Sequence, residues 1–124
     1  MEKTSAKTAQ HFNWGDSCEG WWLKDSGNFV VVEEKMPPGT SEVMHYHEKT
    51  EQFFYVLEGR LKMECNQEIY DLKPYEGITV KARSVHRVFN SSTQEVRFLV
   101  ISSQNSRDDR VDVEELSFSH QIYT

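Results

Sequence analysis

Hydrophobic residues along this chain recur at every second position in short runs, and turn-forming residues separate the runs. Residues 28–35, NFVVVEEK, are one such run, and in residues 60–72 Leu61, Met63 and Cys65 alternate with charged residues up to a turn at Asn66. A period of two is typical of β-strands. About eight to ten short strands can be placed in this way, with no convincing helical periodicity. The pattern predicts an all-β fold, a small β-barrel or jelly roll.

The length of 124 residues fits a single domain, since chains of about 100–150 residues usually build one core. We predict an N-terminal segment (1–27) that packs on the barrel or on a partner, a barrel (28–103) and a charged C-terminal tail (104–124). Both faces of the strand predicted at residues 52–58 are apolar, so a second layer is expected behind it. Either a partner subunit or the same chain supplies that layer, and we predict a homodimer.

The net charge of −6 and the pI near 5.3 argue against nucleic acid or an anionic membrane as a partner, because both would be repelled. The sequence has no run of about 18 apolar residues and no apolar segment of the signal-peptide type at its start. We therefore expect a cytoplasmic protein. Cys18 and Cys65 lack C-x-x-C spacing and are expected to be reduced.

The candidate chemistry lies in residues 39–59, GTSEVMHYHEKTEQFFYVLEG. His45 and His47 are two positions apart, so on a strand their imidazoles lie side by side on one face. Gln52 has the opposite parity and joins them only if the chain bends at the polar residues 48–50 and returns on another strand. A third imidazole is available downstream at His86.

The three tryptophans, Trp14, Trp21 and Trp22, all lie in the N-terminal segment among glycines and aspartates. Rings of this size bury on the order of 150–250 Å² each and are expected to cover an apolar surface. They form either an aromatic wall for a ring-shaped ligand or the packing surface of an N-terminal strand. The sequence favours packing.

The interval from Gly39 to Gly59 resembles the first motif of the cupin superfamily, in which a glycine, an H-x-H pair, a glutamate and a second glycine follow at fixed spacings. Gln52 takes the glutamate position, and Glu51, one residue away, is the rival candidate. Residues 81–90 resemble the second motif in part, with its histidine and asparagine present and its P-x-G replaced by Lys-Ala-Arg. The chain looks like a small, single-domain type-2 cupin.

The resemblance implies a divalent transition metal, and the implied ligands are His45, His47, Gln52 and His86. Imidazoles suit manganese, iron, nickel, zinc and copper, so the ligand set leaves the metal's identity open. All four groups are neutral, so the ion would keep its full charge and act as a stronger Lewis acid than in a site containing glutamate.

Three functions are consistent with this site. The first is a metal-dependent, isomerase-type enzyme acting on a small sugar-like or keto-acid substrate. The second is a dioxygenase acting on a ring-shaped diol, and the third is a module that binds a small ligand without turnover. No motif places a general base, and the candidates are Glu42, Glu58, Glu64 and Tyr55.

Overall fold

The computed structural model describes residues 1–113 and shows eleven strands and no helix in that range. In chain order the strands are β1 (Gln10–Trp14), β2 (Cys18–Asp25), β3 (Val30–Met36), β4 (His45–His47), β5 (Gln52–Glu58), β6 (Leu61–Cys65), β7 (Glu68–Leu72), β8 (Gly77–Val80), β9 (His86–Phe89), β10 (Val96–Ser102) and β11 (Arg110–Asp112). Accordingly, nothing in residues 1–113 qualifies as a membrane-spanning helix.

The strands form two antiparallel sheets. The larger sheet has the order β1-β2-β3-β10-β5-β8 and the smaller has the order β11-β4-β9-β6-β7. In strands such as β5, β6 and β10, alternate residues point into one shared core. In β10, for example, Val96, Phe98 and Val100 are buried and the residues between them are not. Within residues 1–113 the sheets are not closed into a continuous barrel. The predicted all-β fold is confirmed, in its jelly-roll form.

The hairpin of β6 and β7 confirms the prediction made from alternation. Cys65 pairs with Glu68, and the two residues between them, Asn66 and Gln67, have φ values of 51° and 72°. A two-residue loop with two positive φ angles matches the right-handed twist of the flanking strands. The hairpin therefore keeps Leu61 and Met63 on the core face, where both are fully buried.

The outer face of β5 is incompletely covered by the described part of the chain. Phe53 and Tyr55 stack on each other there with ring centroids 6.2 Å apart, and Phe53 remains 38 % exposed. The N-terminal strands β1 and β2 extend the same sheet at its other end, beside β3. The predicted homodimer therefore stays a prediction.

Two glycines, Gly39 and Gly59, offer a matched test of local structure because their φ angles are 78° and 81°. A Cβ at Gly39 would meet nothing within 4 Å, whereas one at Gly59 would lie 2.4 Å from the Glu95 carbonyl oxygen. We expect Gly39→Ala to lower the free energy of unfolding by about 1 kcal/mol, from backbone strain alone. Gly59→Ala adds a steric clash and should cost roughly 3 kcal/mol or more. Urea unfolding measures both, and equal losses would contradict the clash.

Candidate metal centre

Three histidines converge at the edge of the core. The register of β4 against β9 places His45 opposite His86, and His47 lies two residues further along the same face of β4. The ring centroids are 4.3 Å apart for His45 and His86 and 5.0 Å apart for His45 and His47. One ring nitrogen from each of the three lies within 4.8 Å of the others. The three buried imidazoles therefore form a group that can hold a metal ion.

Each imidazole uses its Nδ1 atom to fix its orientation. The Nδ1 atoms of His45 and His86 lie 2.8 Å from the carbonyl oxygens of Val43 and Ser84, and that of His47 lies 3.2 Å from Asp109 Oδ1. Because these partners are acceptors, Nδ1 carries the proton and Nε2 keeps its lone pair. Metal-binding histidines in proteins are usually held in this way.

Two buried acceptor atoms are without a hydrogen-bond partner in residues 1–113, and they are His86 Nε2 and Gln52 Oε1. Gln52 begins β5, and its Nε2 donates to Ser102 Oγ at 3.1 Å. It lines the same cavity as His45 and His47, whereas the rival candidate Glu51 is exposed. Buried acceptors are rarely left unpaired, so an electrophile such as a metal ion fits this position.

Burial keeps the imidazoles neutral. It lowers the pKa of His45 to about 2, and the nearby His86 and Arg110 act in the same direction. Burial likewise lowers the pKa of His86 to about 4. The pKa of His47 is also lowered by burial, although Asp109 opposes the shift. Uncharged imidazoles offer lone pairs at physiological pH, as a metal site requires.

Asp109 is a site residue that sequence analysis missed. Besides His47, it accepts hydrogen bonds from the backbone amides of Lys49 and Thr50 at 2.7 and 2.8 Å and from the Thr50 hydroxyl at 2.9 Å. It therefore fixes both His47 and the bend between β4 and β5. Asp109 follows His47 by 62 residues in a charged segment, and no motif spacing marks it.

Two of the three histidines, His45 and His47, open onto a cavity, called here the site cavity, of about 120 Å³. This volume exceeds the roughly 10–15 Å³ that one water needs and admits a small organic molecule. Its aromatic lining comes from Phe12, Trp14, Trp22 and Phe54, and its charged lining comes from Glu34, Glu42, Arg107 and Arg110.

The structure places the tryptophans in two locations. Trp14 and Trp22 line the site cavity, and Trp14 also packs against the buried core. Trp21 lies on the other side of β2 and stacks with Arg97, whose guanidinium carbon is 5.2 Å from the ring centroid. The N-terminal strands thus contribute aromatic rings to the cavity lining, and their use by a ring-shaped ligand stays a prediction.

Of the proposed general bases, only Glu42 lines the site cavity. Glu58 is exposed, Glu64 pairs with Arg87, and Tyr55 lies on the outer face of β5. Besides Asp109, sequence analysis missed a second carboxylate, Glu34, which lines the site cavity. Its parity with Val30 and Val32 along β3 was the available signal. Of the predicted C-terminal tail (104–124), residues 114–124 lie outside the described residues.

Residues 32–102, more than half of the chain, match the family model described as the cupin domain. The chain belongs to the cupin family. Polyketide synthase CurC of Streptomyces cyaneus is 34% identical over 64 residues, which are 52% of this chain and 42% of that protein. Quercetin 2,3-dioxygenase of Bacillus subtilis is 38% identical over 60 residues, 48% of this chain and 18% of that enzyme. This cupin thus spans less than half the length of either relative.

Solved structures show the same cupin fold. The polyketide cyclase RemF from Streptomyces resistomycificus superimposes with a TM-score of 0.81 at 22% identity, covering 92% of this chain and 86% of that one. KdgF from Halomonas sp. gives a TM-score of 0.75 at 17% identity, with 82% and 94% covered. Identities this low establish the fold alone.

Substituting Asp109 tests its role in holding the site. Burial acts to raise the pKa of Asp109, but the hydrogen bonds from Lys49 and Thr50 outweigh it, and the pKa falls below its ordinary value of 3.8. A lowered pKa stabilises the folded state above the ordinary value, and this contribution is lost as the pH falls through the folded value. Asp109→Asn should lower the free energy of unfolding of the metal-free protein at pH 7 by about 1–3 kcal/mol.

Urea unfolding of the wild-type protein and of Asp109→Asn between pH 7 and pH 3 measures the difference in their free energies of unfolding. This difference should become smaller as the pH falls toward 3. Asp71→Asn is the control, because Asp71 is 45% exposed and, within residues 1–113, its carboxylate pairs only with Arg60, at 3.3 Å. A difference that stays constant or grows as the pH falls would contradict the assigned role of Asp109.

Proposed function

We propose that this cupin is an enzyme that uses one divalent transition metal, held by His45, His47, His86 and Gln52, to act on a small keto acid. The proposal is supported by two buried acceptors that have no partner in residues 1–113, His86 Nε2 and Gln52 Oε1, and by the group of three neutral imidazoles to which His86 belongs. A divalent ion in this neutral ligand set would act as a Lewis acid on a bound carbonyl. Its identity, among manganese, iron, nickel, zinc and copper, is left to elemental analysis.

The chain's own residues favour a substrate with an apolar part and an acid group. Phe12 and Trp22 present their rings to the site cavity, and the Arg107 guanidinium carbon lies 4.8 and 4.7 Å from their ring centroids. Arg107 has no carboxylate within ion-pair distance in residues 1–113. A guanidinium pre-oriented by two rings is suited to a carboxylate. Proton transfer beside the polarised carbonyl gives isomerase-type chemistry.

Two similar proteins that are named for polyketide chemistry support the same proposal. One is a polyketide synthase and one a polyketide cyclase, and a polyketide chain is a series of carbonyl groups separated by acidic carbons. Removal of a proton next to a carbonyl is a step that cyclisation and isomerisation have in common. A keto acid that undergoes either cyclisation or isomerisation therefore fits the proposal.

Removing one imidazole tests the metal site. We expect wild-type protein, prepared without a tag and reconstituted, to hold about one equivalent of a transition metal, and His47→Ala to hold less than about a tenth. Inductively coupled plasma mass spectrometry measures the content. His11→Ala is the matched control, since His11 is exposed and pairs with Glu19 at 2.9 Å, and it should bind as wild type does. Equal retention in the two variants would contradict the ligand assignment.

The second candidate function, a dioxygenase, is favoured by the aromatic lining of the site cavity and by the relative named quercetin 2,3-dioxygenase. Oxygen uptake separates the two enzymes. If the keto-acid proposal is right, the metal-loaded protein should consume no oxygen above the buffer rate with a panel of catechols and flavonols. Oxygen uptake that is lost in His47→Ala would contradict the keto-acid proposal and support the dioxygenase. A module that binds without turnover would show neither oxygen uptake nor proton transfer.

We also propose that this cupin is a cytoplasmic homodimer. The exposed Phe53 and its stacked neighbour Tyr55 on the outer face of β5 support a partner that covers this face. Sedimentation equilibrium measures the oligomeric state directly, and a monomer at micromolar concentration would contradict the dimer.

A further inference from the structure

Glu34 is a carboxylate on the core face of a strand. Its neighbours on that face of β3, Val32 and Met36, are 7 % and 0 % exposed. Placing a carboxylate among such residues is unfavourable unless it is paired. Glu34 instead opens into the site cavity, together with His45, His47 and Gln52. Its position therefore calls for a functional explanation.

Glu34 differs from the second carboxylate of the cavity in having no fixed partner. Glu42 accepts a hydrogen bond from the Val88 amide at 2.9 Å and lies 3.7 Å from Arg110 Nη1. Glu34 accepts no hydrogen bond and forms no ion pair within residues 1–113, and Glu42, Arg107 and Arg110 reach it only by longer-range charge interactions. Glu42 is thus held by the protein, while the Glu34 carboxyl is available to a ligand.

The surroundings of Glu34 bring its pKa close to neutral pH. Burial raises its pKa to about 8, and the charge of Glu42 adds to the shift, while Arg110 and Arg107 oppose it. Cys18, also near this carboxylate, has its own pKa raised, chiefly by burial. A group that titrates near the working pH can both accept and return a proton.

We infer that Glu34 is the proton-transferring residue of the site, taking a proton from the carbon next to the substrate carbonyl and returning it. This inference rests on the proposed function and supplies the general base that no motif identified. The C–H bond breaks and its electron pair forms the carbon–carbon double bond of an enolate. The carbonyl π pair moves to oxygen, and the proton passes to a Glu34 carboxylate oxygen. Return of the proton to carbon reverses these changes, so no oxidant or reductant is needed.

Phenylpyruvate is a suitable probe, because it combines a ring, a ketone and a carboxylate and has acidic hydrogens at the carbon beside the ketone. In D₂O, proton NMR follows the replacement of these hydrogens by deuterium. We expect metal-loaded wild-type protein to accelerate the exchange and Glu34→Gln to lose at least about 100-fold of that acceleration. The variant should keep its full metal content, which separates this inference from the metal site itself.

Glu33→Gln is the matched control. Glu33 is the adjacent residue on the opposite face of β3 and pairs with Arg97 at 2.7 Å, so its substitution should leave exchange unchanged. If Glu34→Gln does not fold, Glu34→Asp replaces it, retaining the carboxyl one methylene shorter, with a smaller loss expected.

A second readout needs no catalysis. In metal-free protein labelled with ¹³C at the glutamate carboxyls, two signals should titrate well above the ordinary value of 4.5, because burial raises the pKa of both Glu34 and Glu42. The signal that belongs to Glu34 should be absent from Glu34→Gln. Loss of that signal together with loss of exchange supports the inference. Exchange by Glu34→Gln at the wild-type rate, no exchange by metal-loaded wild type, or no such signal assignable to Glu34 would overturn it. Wild-type protein that takes up no metal would instead overturn the proposed function.

Discussion

The pairing of β4 with β9 is the constraint on which the rest of the site depends. It brings two imidazoles that are 41 residues apart in the chain into register, with His45 directly opposite His86. Because side chains alternate along a strand, a slip of one residue would turn His45 and His47 to the other face. The ladder is fixed beyond the short strands by two backbone hydrogen bonds, from Gly39 to the Asn90 carbonyl and from Asn90 to the Thr40 carbonyl.

Asn90 explains why an asparagine follows the histidine at this spacing. Its side chain is buried, and Nδ2 donates to the carbonyl oxygens of Met36 and Gln94 at 3.0 and 2.8 Å. Its Oδ1 accepts from the Ser92 amide and hydroxyl. A buried amide with its groups satisfied holds β3, β9 and the turn before β10 in one arrangement. It stabilises the frame around the histidines without contacting them.

Alternation predicted most of the strands, and motif spacing predicted that His45, His47 and His86 come together. The β6–β7 hairpin, the bend at residues 48–50 and the placement of Gln52 rather than Glu51 in the cavity all follow from local patterns. Asp109 and Arg107 could not be found in this way, since their roles arise from contacts with residues far away in the chain. Glu34 could have been found from its parity with Val30 and Val32 along β3. It was missed because residues 28–35 were interpreted only as a strand.

The segment from Ser103 to Asp109 has two roles at the site. Arg107 lines the site cavity, while Asp109, two residues later, orients His47. Sequence drift in this loop that adapts the entrance to a new ligand would therefore disturb the histidine geometry as well. The β1–β2 hairpin has no such double role. Its residues Phe12 and Trp22 line the site cavity but form no hydrogen bond with an imidazole of the site. In proteins with this structure, substitutions that change ligand preference are therefore better tolerated in the β1–β2 hairpin than in the loop of residues 103–109.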